Sequence, residues 1–75
     1  MGPQNNRSLR LVVIDSDVNT RTRVKRCVSG KGIRVAGESE DLKAGLRLAR
    51  GLQPDLVLLE LPPQAVAAME TVKQI

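Results

Sequence analysis

The apolar residues of this chain change their spacing several times, and each change predicts a new element. The run 9–14, LRLVVI, is rich in branched residues and is typical of a strand buried on both faces. A helical spacing follows, whose predicted inward stripe consists of Thr20, Val24, Cys27 and Val28. Three residues are placed to cap the start of this helix, namely Ser16, Asp17 and Asn19. The segment SGKG, 29–32, predicts its C-terminal glycine and a turn.

The second unit repeats this order. IRVAG, 33–37, predicts a strand, and a helix is predicted over 41–50 and ended by Gly51. The inward stripe predicted for this helix consists of Leu42, Leu46 and Ala49, widened by Leu48 and Leu52. Gly45 lies within the helix, where it either allows close packing against a strand or lowers helix stability.

A third unit completes the pattern. DLVLLE, 55–60, predicts a strand after Pro54, and a helix is predicted to follow Pro62 and Pro63. The predicted inward positions of that helix are Val66, Met69, Val72 and Ile75. Strands that alternate with helices favour a parallel sheet with right-handed crossovers. The sequence therefore predicts an α/β domain with the order β-α-β-α-β-α.

Two of the predicted strands end on carboxylates, Asp15 and Glu60. In parallel α/β sheets, ligands collect at the carboxyl ends of the strands. Two carboxylates that converge there form an oxygen-rich site suited to a hard cation such as Mg²⁺, and an aspartate in such a site can accept a phosphoryl group. The alternative is that both acids only end strands and cap helices.

Composition excludes several classes of function. The 75 residues make at most one small domain, and without Phe, Tyr or Trp its core must be aliphatic, so support from more chain or from a partner is expected. A single cysteine, Cys27, and no histidine rule out an internal disulfide, a zinc site and histidine-based catalysis. No stretch resembles a signal peptide or a membrane span, which predicts a cytoplasmic protein without membrane insertion.

The net charge of +4 is concentrated between residues 21 and 34, which include no acid. The predicted basic interaction patch consists of Arg21, Lys25, Arg26, Lys31 and Arg34. Such a patch attracts phosphate or nucleic acid, but no aromatic residue is present to stack on bases. A solvated helix face is favoured over a nucleic-acid site, and a small basic nucleic-acid binder stays an alternative function.

Two segments in combination resemble a known family, the bacterial response-regulator receiver domain. They are LRLVVIDSD, 9–17, and VAGESEDLKAGLRLARGLQPDLVLLEL, 35–61. The resemblance implies a partial flavodoxin-like α/β fold: the first three of five β/α units, with strand order 2-1-3 and helices on both faces. It covers residues 9–75 and leaves residues 1–8 as a flexible leader.

The resemblance also implies roles for single residues. Asp15, Ser16 and Asp17 occupy the family's acidic pocket, in which Ser16 replaces an acid that normally binds metal. Glu60 stands where the family has its phosphoacceptor aspartate. These departures predict no cofactor, or at most a weak Mg²⁺ site formed by Asp15 and Glu60. They predict a degenerate receiver, a pseudo-receiver, whose Glu60 is not phosphorylated and is a partial mimic of phospho-aspartate or a relic.

The predicted function is that of a signalling and protein-interaction module of the two-component type, not an enzyme. The expected partner is a signalling or assembly protein, or the C-terminal units of its own chain, and the open sheet edge could also pair with a second copy. Two further alternatives are a working, Mg²⁺-dependent phosphoacceptor and the N-terminal part of a larger pilus-assembly or localisation ATPase.

Overall fold

The computed structural model describes residues 8–73, in which three strands and three helices alternate. The elements are β1 (Leu9–Ile14), α1 (Val18–Val28), β2 (Ile33–Ser39), α2 (Leu42–Leu52), β3 (Leu56–Leu59) and α3 (Pro63–Lys73). The leader predicted at the N-terminus lies outside the described residues apart from Ser8. The inward positions predicted for Val72 and Ile75 lie outside the described side chains.

The three strands form one parallel sheet in the order β2-β1-β3, which confirms the predicted partial flavodoxin-like arrangement. β1 is central because both other strands pair with it, and four consecutive residues of this strand, 11–14, are buried. The pairing with β2 skips Ala36, so β2 carries a bulge, whereas the pairing with β3 is regular from Leu11 to Ile14.

Helices cover both faces of the sheet, as predicted. On one face, Leu11 and Val13 of β1 form a core with Val24 and Val28 of α1, and Met69 of α3 packs against it. On the other face, α2 lies against Ile14. α1 and α3 therefore share a face, and α2 is alone on the opposite one.

Two glycines determine how closely α2 packs against the sheet. A Cβ added to Gly45 would lie 2.6 Å from the side chain of Ile14, and one added to Gly37 would lie 2.9 Å from Leu48 and 3.0 Å from Leu52. The predicted inward stripe of Leu42 and Leu46 is therefore wrong: these side chains are 50% and 45% exposed. Gly45, the smallest residue of α2, faces the sheet because it allows the closest approach. Leu42 and Leu46 lie to one side.

Several predicted boundaries also move. β2 continues past Gly37 to Ser39, and α2 continues through Gly51 to Leu52. The residue that ends α2 is Gln53, which has a left-handed φ of 52° and donates its N–H to the carbonyl of Ala49 at 2.8 Å. Gly51 is not the terminator, because the chain leaves the helix two residues later. The predicted turn after α1 is confirmed, with positive φ at Gly30 and Gly32.

Candidate functional site at the carboxyl edge of the sheet

The structure brings Asp15 and Glu60 to the same edge of the sheet, as their places after two strands predicted. Ile14 pairs with Leu59 in the parallel ladder, so the residues that follow each of them leave the sheet side by side. The Glu60 N–H donates to the carbonyl of Ile14 at 2.8 Å, which continues the ladder by one bond. This edge is where functional groups of parallel sheets are expected.

Asp15 is a buried residue, only 4% exposed, and both of its carboxylate oxygens accept backbone hydrogen bonds. Oδ1 accepts the N–H of Asp17 and Oδ2 accepts the N–H of Leu61, each at 2.9 Å. The first bond shapes the β1–α1 loop and the second holds the β3–α3 loop beside it. Asp15 therefore ties the two loops of the site together.

Glu60 lies on the exposed side of the same site and has a left-handed φ of 44°. Its Oε2 accepts the backbone N–H of Ser16 at 3.3 Å, across from the neighbouring loop. The left-handed region is costly for a residue with a Cβ and is often held by surrounding contacts at functional sites. The result is a carboxylate placed against a backbone N–H of the β1–α1 loop.

The side chain of Asp17 forms its hydrogen bonds with the first turn of α1. It is the N-cap residue of that helix: its Oδ1 accepts the N–H of Asn19 at 2.9 Å and its Oδ2 accepts the hydroxyl of Thr20 at 3.2 Å. Of the three candidate caps, the structure thus selects Asp17. These two bonds use both carboxylate oxygens of Asp17, one of the residues that the resemblance places in the acidic pocket.

The arrangement fits a divalent cation poorly. Within residues 8–73 no three acidic, cysteine or histidine side chains are grouped so that they could hold a metal ion. Both oxygens of Asp15 already accept N–H bonds, and a hard cation needs several oxygen ligands around it. Ser16 contributes a neutral hydroxyl in place of an anionic ligand.

The residues of the predicted basic patch differ in their surroundings. Arg21 and Lys25 both pair with Glu38 of β2, at 2.9 and 2.6 Å, and the side chain of Arg21 is only 12% exposed. Arg26, Lys31 and Arg34 are exposed. The hydrogen bond from Lys25, together with that from Arg21, lowers the pKa of Glu38 against the opposing effect of burial. The charge of the patch is thus partly neutralised by an acid from the next strand.

Two other contacts have no counterpart in the sequence prediction. Arg23 forms a two-pronged ion pair with Glu70 of α3, at 2.9 and 2.6 Å, and this hydrogen bonding raises the pKa of Arg23. Arg10 donates its backbone N–H to Asp55 and its guanidinium to the carbonyl of Leu52, both at 2.7 Å. The residues of each contact are more than 40 positions apart, so no local pattern could have indicated either one.

None of the helices in the described part of the chain is both long and apolar enough to cross a membrane.

Comparison with known proteins finds its matches among response regulators and related enzymes. The chain is 35% identical over 66 residues to the nitrate/nitrite response regulator protein NarL of Escherichia coli K12. It is 30% identical over 67 residues to protein-glutamate methylesterase/protein-glutamine glutaminase 2 of Burkholderia thailandensis, and 39% identical over 56 residues to protein-glutamate methylesterase/protein-glutamine glutaminase 6 of Anaeromyxobacter dehalogenans. No family profile and no solved structure matches.

The shared region is most of this chain but a small part of each relative. It covers 87% of this chain and 31% of NarL, and 88% of this chain and 19% of the Burkholderia protein. For the Anaeromyxobacter protein it covers 73% of this chain and 16% of that protein. Together with the 2-1-3 parallel sheet, these similarities support a receiver domain of the two-component signalling type.

Proposed function

We propose that this chain is a degenerate receiver domain, which acts in two-component signalling through protein contacts and is not phosphorylated. The observation that carries the proposal is the bond between Glu60 Oε2 and the Ser16 N–H at 3.3 Å. The residue at the acceptor position already presents a negative charge to the neighbouring loop. No transferred group is needed to bring an anion to this edge of the sheet.

The lack of phosphorylation follows from the chemistry of the acids. Attack of a carboxylate on phosphorus requires nearby cations that offset the developing charge. Ser16 is neutral, and the carboxylate of Asp15 accepts hydrogen bonds from two backbone N–H groups. The site therefore has too few free anionic oxygens to bind such a cation. Glu60 is also one methylene longer than aspartate, which moves its oxygens away from the position suited to in-line attack.

The same length suits Glu60 to imitate the modified state. A phosphoryl group on an aspartate would extend its negative oxygens further from the strand end, and the longer glutamate side chain reaches in that direction. Here it reaches the β1–α1 loop and accepts a hydrogen bond from it. The proposed output is a constant contact surface for a protein partner, with neither an enzymatic reaction nor a bound cofactor.

Incubation with acetyl phosphate and Mg²⁺, followed by intact-mass measurement, tests this proposal. We expect no phosphoryl gain on the wild-type chain or on the Glu60→Gln control. A double variant, Ser16→Asp with Glu60→Asp, restores the acids that the resemblance assigns to these positions. Its phosphoryl gain shows whether these two replacements alone account for the lack of phosphorylation. A gain of one phosphoryl group on the wild type, absent from Glu60→Gln, would overturn the proposal.

A further inference from the structure

α2 carries a row of positive charge on its outer side. Lys43, Arg47 and Arg50 are exposed and follow each other at about one helical turn, and the helix contains no acid. Together with Leu46 they line an open groove of about 270 Å³. We name Lys43, Arg47 and Arg50 the α2 basic stripe.

The α2 basic stripe faces away from the sheet. Gly45 is the residue of α2 that meets Ile14, and the side chains of Leu48 and Leu52 lie beside Gly37. Because each helical residue advances by about 100°, the three cations lie about 140–160° around the helix from Gly45. An element packed beside α2 on the same face of the sheet would meet the flank of the helix and not this outer side. The exposure of the stripe therefore does not depend on what covers β3.

The charges of the stripe are not neutralised within the described part of the chain. Several cations of α1 form ion pairs with acids of β2 and α3. Within residues 8–73, by contrast, the side chains of the α2 basic stripe form neither an ion pair nor a hydrogen bond. α2 therefore presents three unpaired cations on one surface.

This arrangement does not help the helix to form. Lys43 and Arg47 are four residues apart and Arg47 and Arg50 are three apart, so like charges are neighbours on the helix surface and repel each other. Lys43 also lies in the first turn, where the helix dipole disfavours a cation, and only Arg50, in the last turn, is favourably placed. An anionic partner would remove the repulsion that folding leaves in place.

We propose that the α2 basic stripe docks an acidic helix of a partner protein that carries one carboxylate on each turn. The cations of the stripe rise by about 5 Å from one to the next. Carboxylates on one face of a helix repeat with the same rise, whereas those on one face of an extended strand repeat at roughly 6.6 Å. Two of the three cations are arginines, which bind carboxylates in a two-pronged geometry. The inference rests on the proposed function, in which the output is a contact surface for a protein partner.

The number and placement of the charges favour a protein partner over nucleic acid. A protein that binds a duplex through charge typically contacts about six to ten phosphates, and the stripe offers three cations. The cations of α1 lie on the opposite face of the sheet, so they cannot join the stripe on one duplex.

Fluorescence anisotropy of a labelled peptide, titrated with the full chain, tests the proposal. The probe is a synthetic helical peptide with one glutamate per turn, and the control peptide has the same composition with its glutamates distributed around the helix. At physiological ionic strength we expect the probe to bind with a Kd on the order of 100 µM, because each exposed ion pair contributes little. The control peptide should bind at least about fivefold more weakly, and added salt should weaken binding of the probe.

Reversal of the central charge separates loss of binding from loss of folding. Arg47→Glu should weaken binding of the probe by at least about tenfold. Its thermal midpoint should stay the same or rise, since the substitution replaces repulsion by attraction to Lys43 and Arg50. Lys31→Glu makes the same change of charge in the exposed turn after α1 and is the matched control, which should bind the probe like the wild type.

No binding of the probe up to about 1 mM, equal binding of the two peptides, or equal losses in Arg47→Glu and Lys31→Glu would each overturn the proposal. Tighter binding of a mixed-sequence DNA duplex, or of vesicles that contain phosphatidylserine, would also overturn it, because the stripe would then serve another class of partner. A phosphoryl gain in the acetyl phosphate assay overturns the proposed function instead and leaves the peptide result unchanged, so the two failures are distinguishable.

Discussion

Asp15 links two loops of the structure, a role that its position at the end of a strand does not by itself indicate. Its place after β1 predicts a carboxylate at the sheet edge, and that is where it lies. In the structure, however, both oxygens accept backbone N–H groups from two different loops. The bond to Leu61, 46 residues away, depends on β3 lying beside β1, which only the assembled sheet provides.

Asp15→Ala is expected to destabilise the fold by about 2–3 kcal/mol, because it leaves the N–H groups of Asp17 and Leu61 without their charged acceptor. Urea unfolding measures the loss. Ser16→Ala, at the adjacent exposed position, should change the free energy of unfolding by less than about 0.5 kcal/mol. A loss below about 1 kcal/mol for Asp15→Ala would show that water replaces the lost acceptor, contrary to this role.

At the scale of elements, the existence and type of all three strands and helices follow from spacing, but the inward face of α2 does not. The spacing predicts a single stripe of Leu42, Leu46 and Ala49, widened by Leu48 and Leu52, but in the structure only Leu48 and Leu52 of these leucines lie near the sheet, whereas Leu42 and Leu46 are exposed. Gly45 determines which face of α2 contacts the sheet, because its lack of a side chain lets α2 approach Ile14 closely. A hydrophobicity pattern gives more weight to large residues, so it cannot identify a contact that depends on a small one.

Gly45→Ala and Gly51→Ala are expected to have opposite effects within the same helix. Alanine favours the helix by about 1 kcal/mol at either position. At Gly45, however, the new Cβ would lie 2.6 Å from the buried Ile14, and such overpacking costs about 1–3 kcal/mol. At Gly51 the Cβ meets nothing within 4 Å, so a gain of about 0.5–1 kcal/mol is expected.

Thermal or urea unfolding of both variants decides this point. If Gly45→Ala is as stabilising as Gly51→Ala, α2 does not lie as close to Ile14 as the structure shows. Because the two variants share the same helix and the same substitution, differences in helix propensity are cancelled in the comparison.

At the scale of the whole molecule, α1 and α3 pack together on one face, and ion pairs connect elements that are distant in the sequence. Glu38 of β2 holds Arg21 and Lys25 of α1, and Glu70 of α3 holds Arg23. The basic stretch 21–34, which contains no acid of its own, therefore finds acids in the neighbouring elements. Its net charge in the sequence overstates the charge that it presents in the fold.

The stability of the molecule should depend on the charge of Glu38. Its pKa is lower in the folded chain than the usual 4.5, so folding favours the ionised form. This contribution is fully present above the unfolded pKa and is lost as the pH falls through the folded one. We expect the stability difference between the wild type and Glu38→Gln to be constant above about pH 5.5 and to shrink below about pH 4.

Urea midpoints measured across this pH range test the expectation. Glu40→Gln removes the same charge from an exposed position nearby and is the control for a general charge effect. A difference between the wild type and Glu38→Gln that grows on acidification would contradict the direction of the pKa shift.

The sequence by itself determines the order of elements, the parallel sheet and the convergence of Asp15 and Glu60 at its edge. These follow from local periodicity and from the rule that parallel strands end at the same side. Tertiary structure alone decides that Asp17 caps α1, that Gly45 faces the sheet, that Glu38 holds two cations of α1, and that α3 lies beside α1. The last three depend on contacts between residues far apart in the chain, which no local pattern records, whereas the choice among the candidate caps is made by the bonds of Asp17 to Asn19 and Thr20.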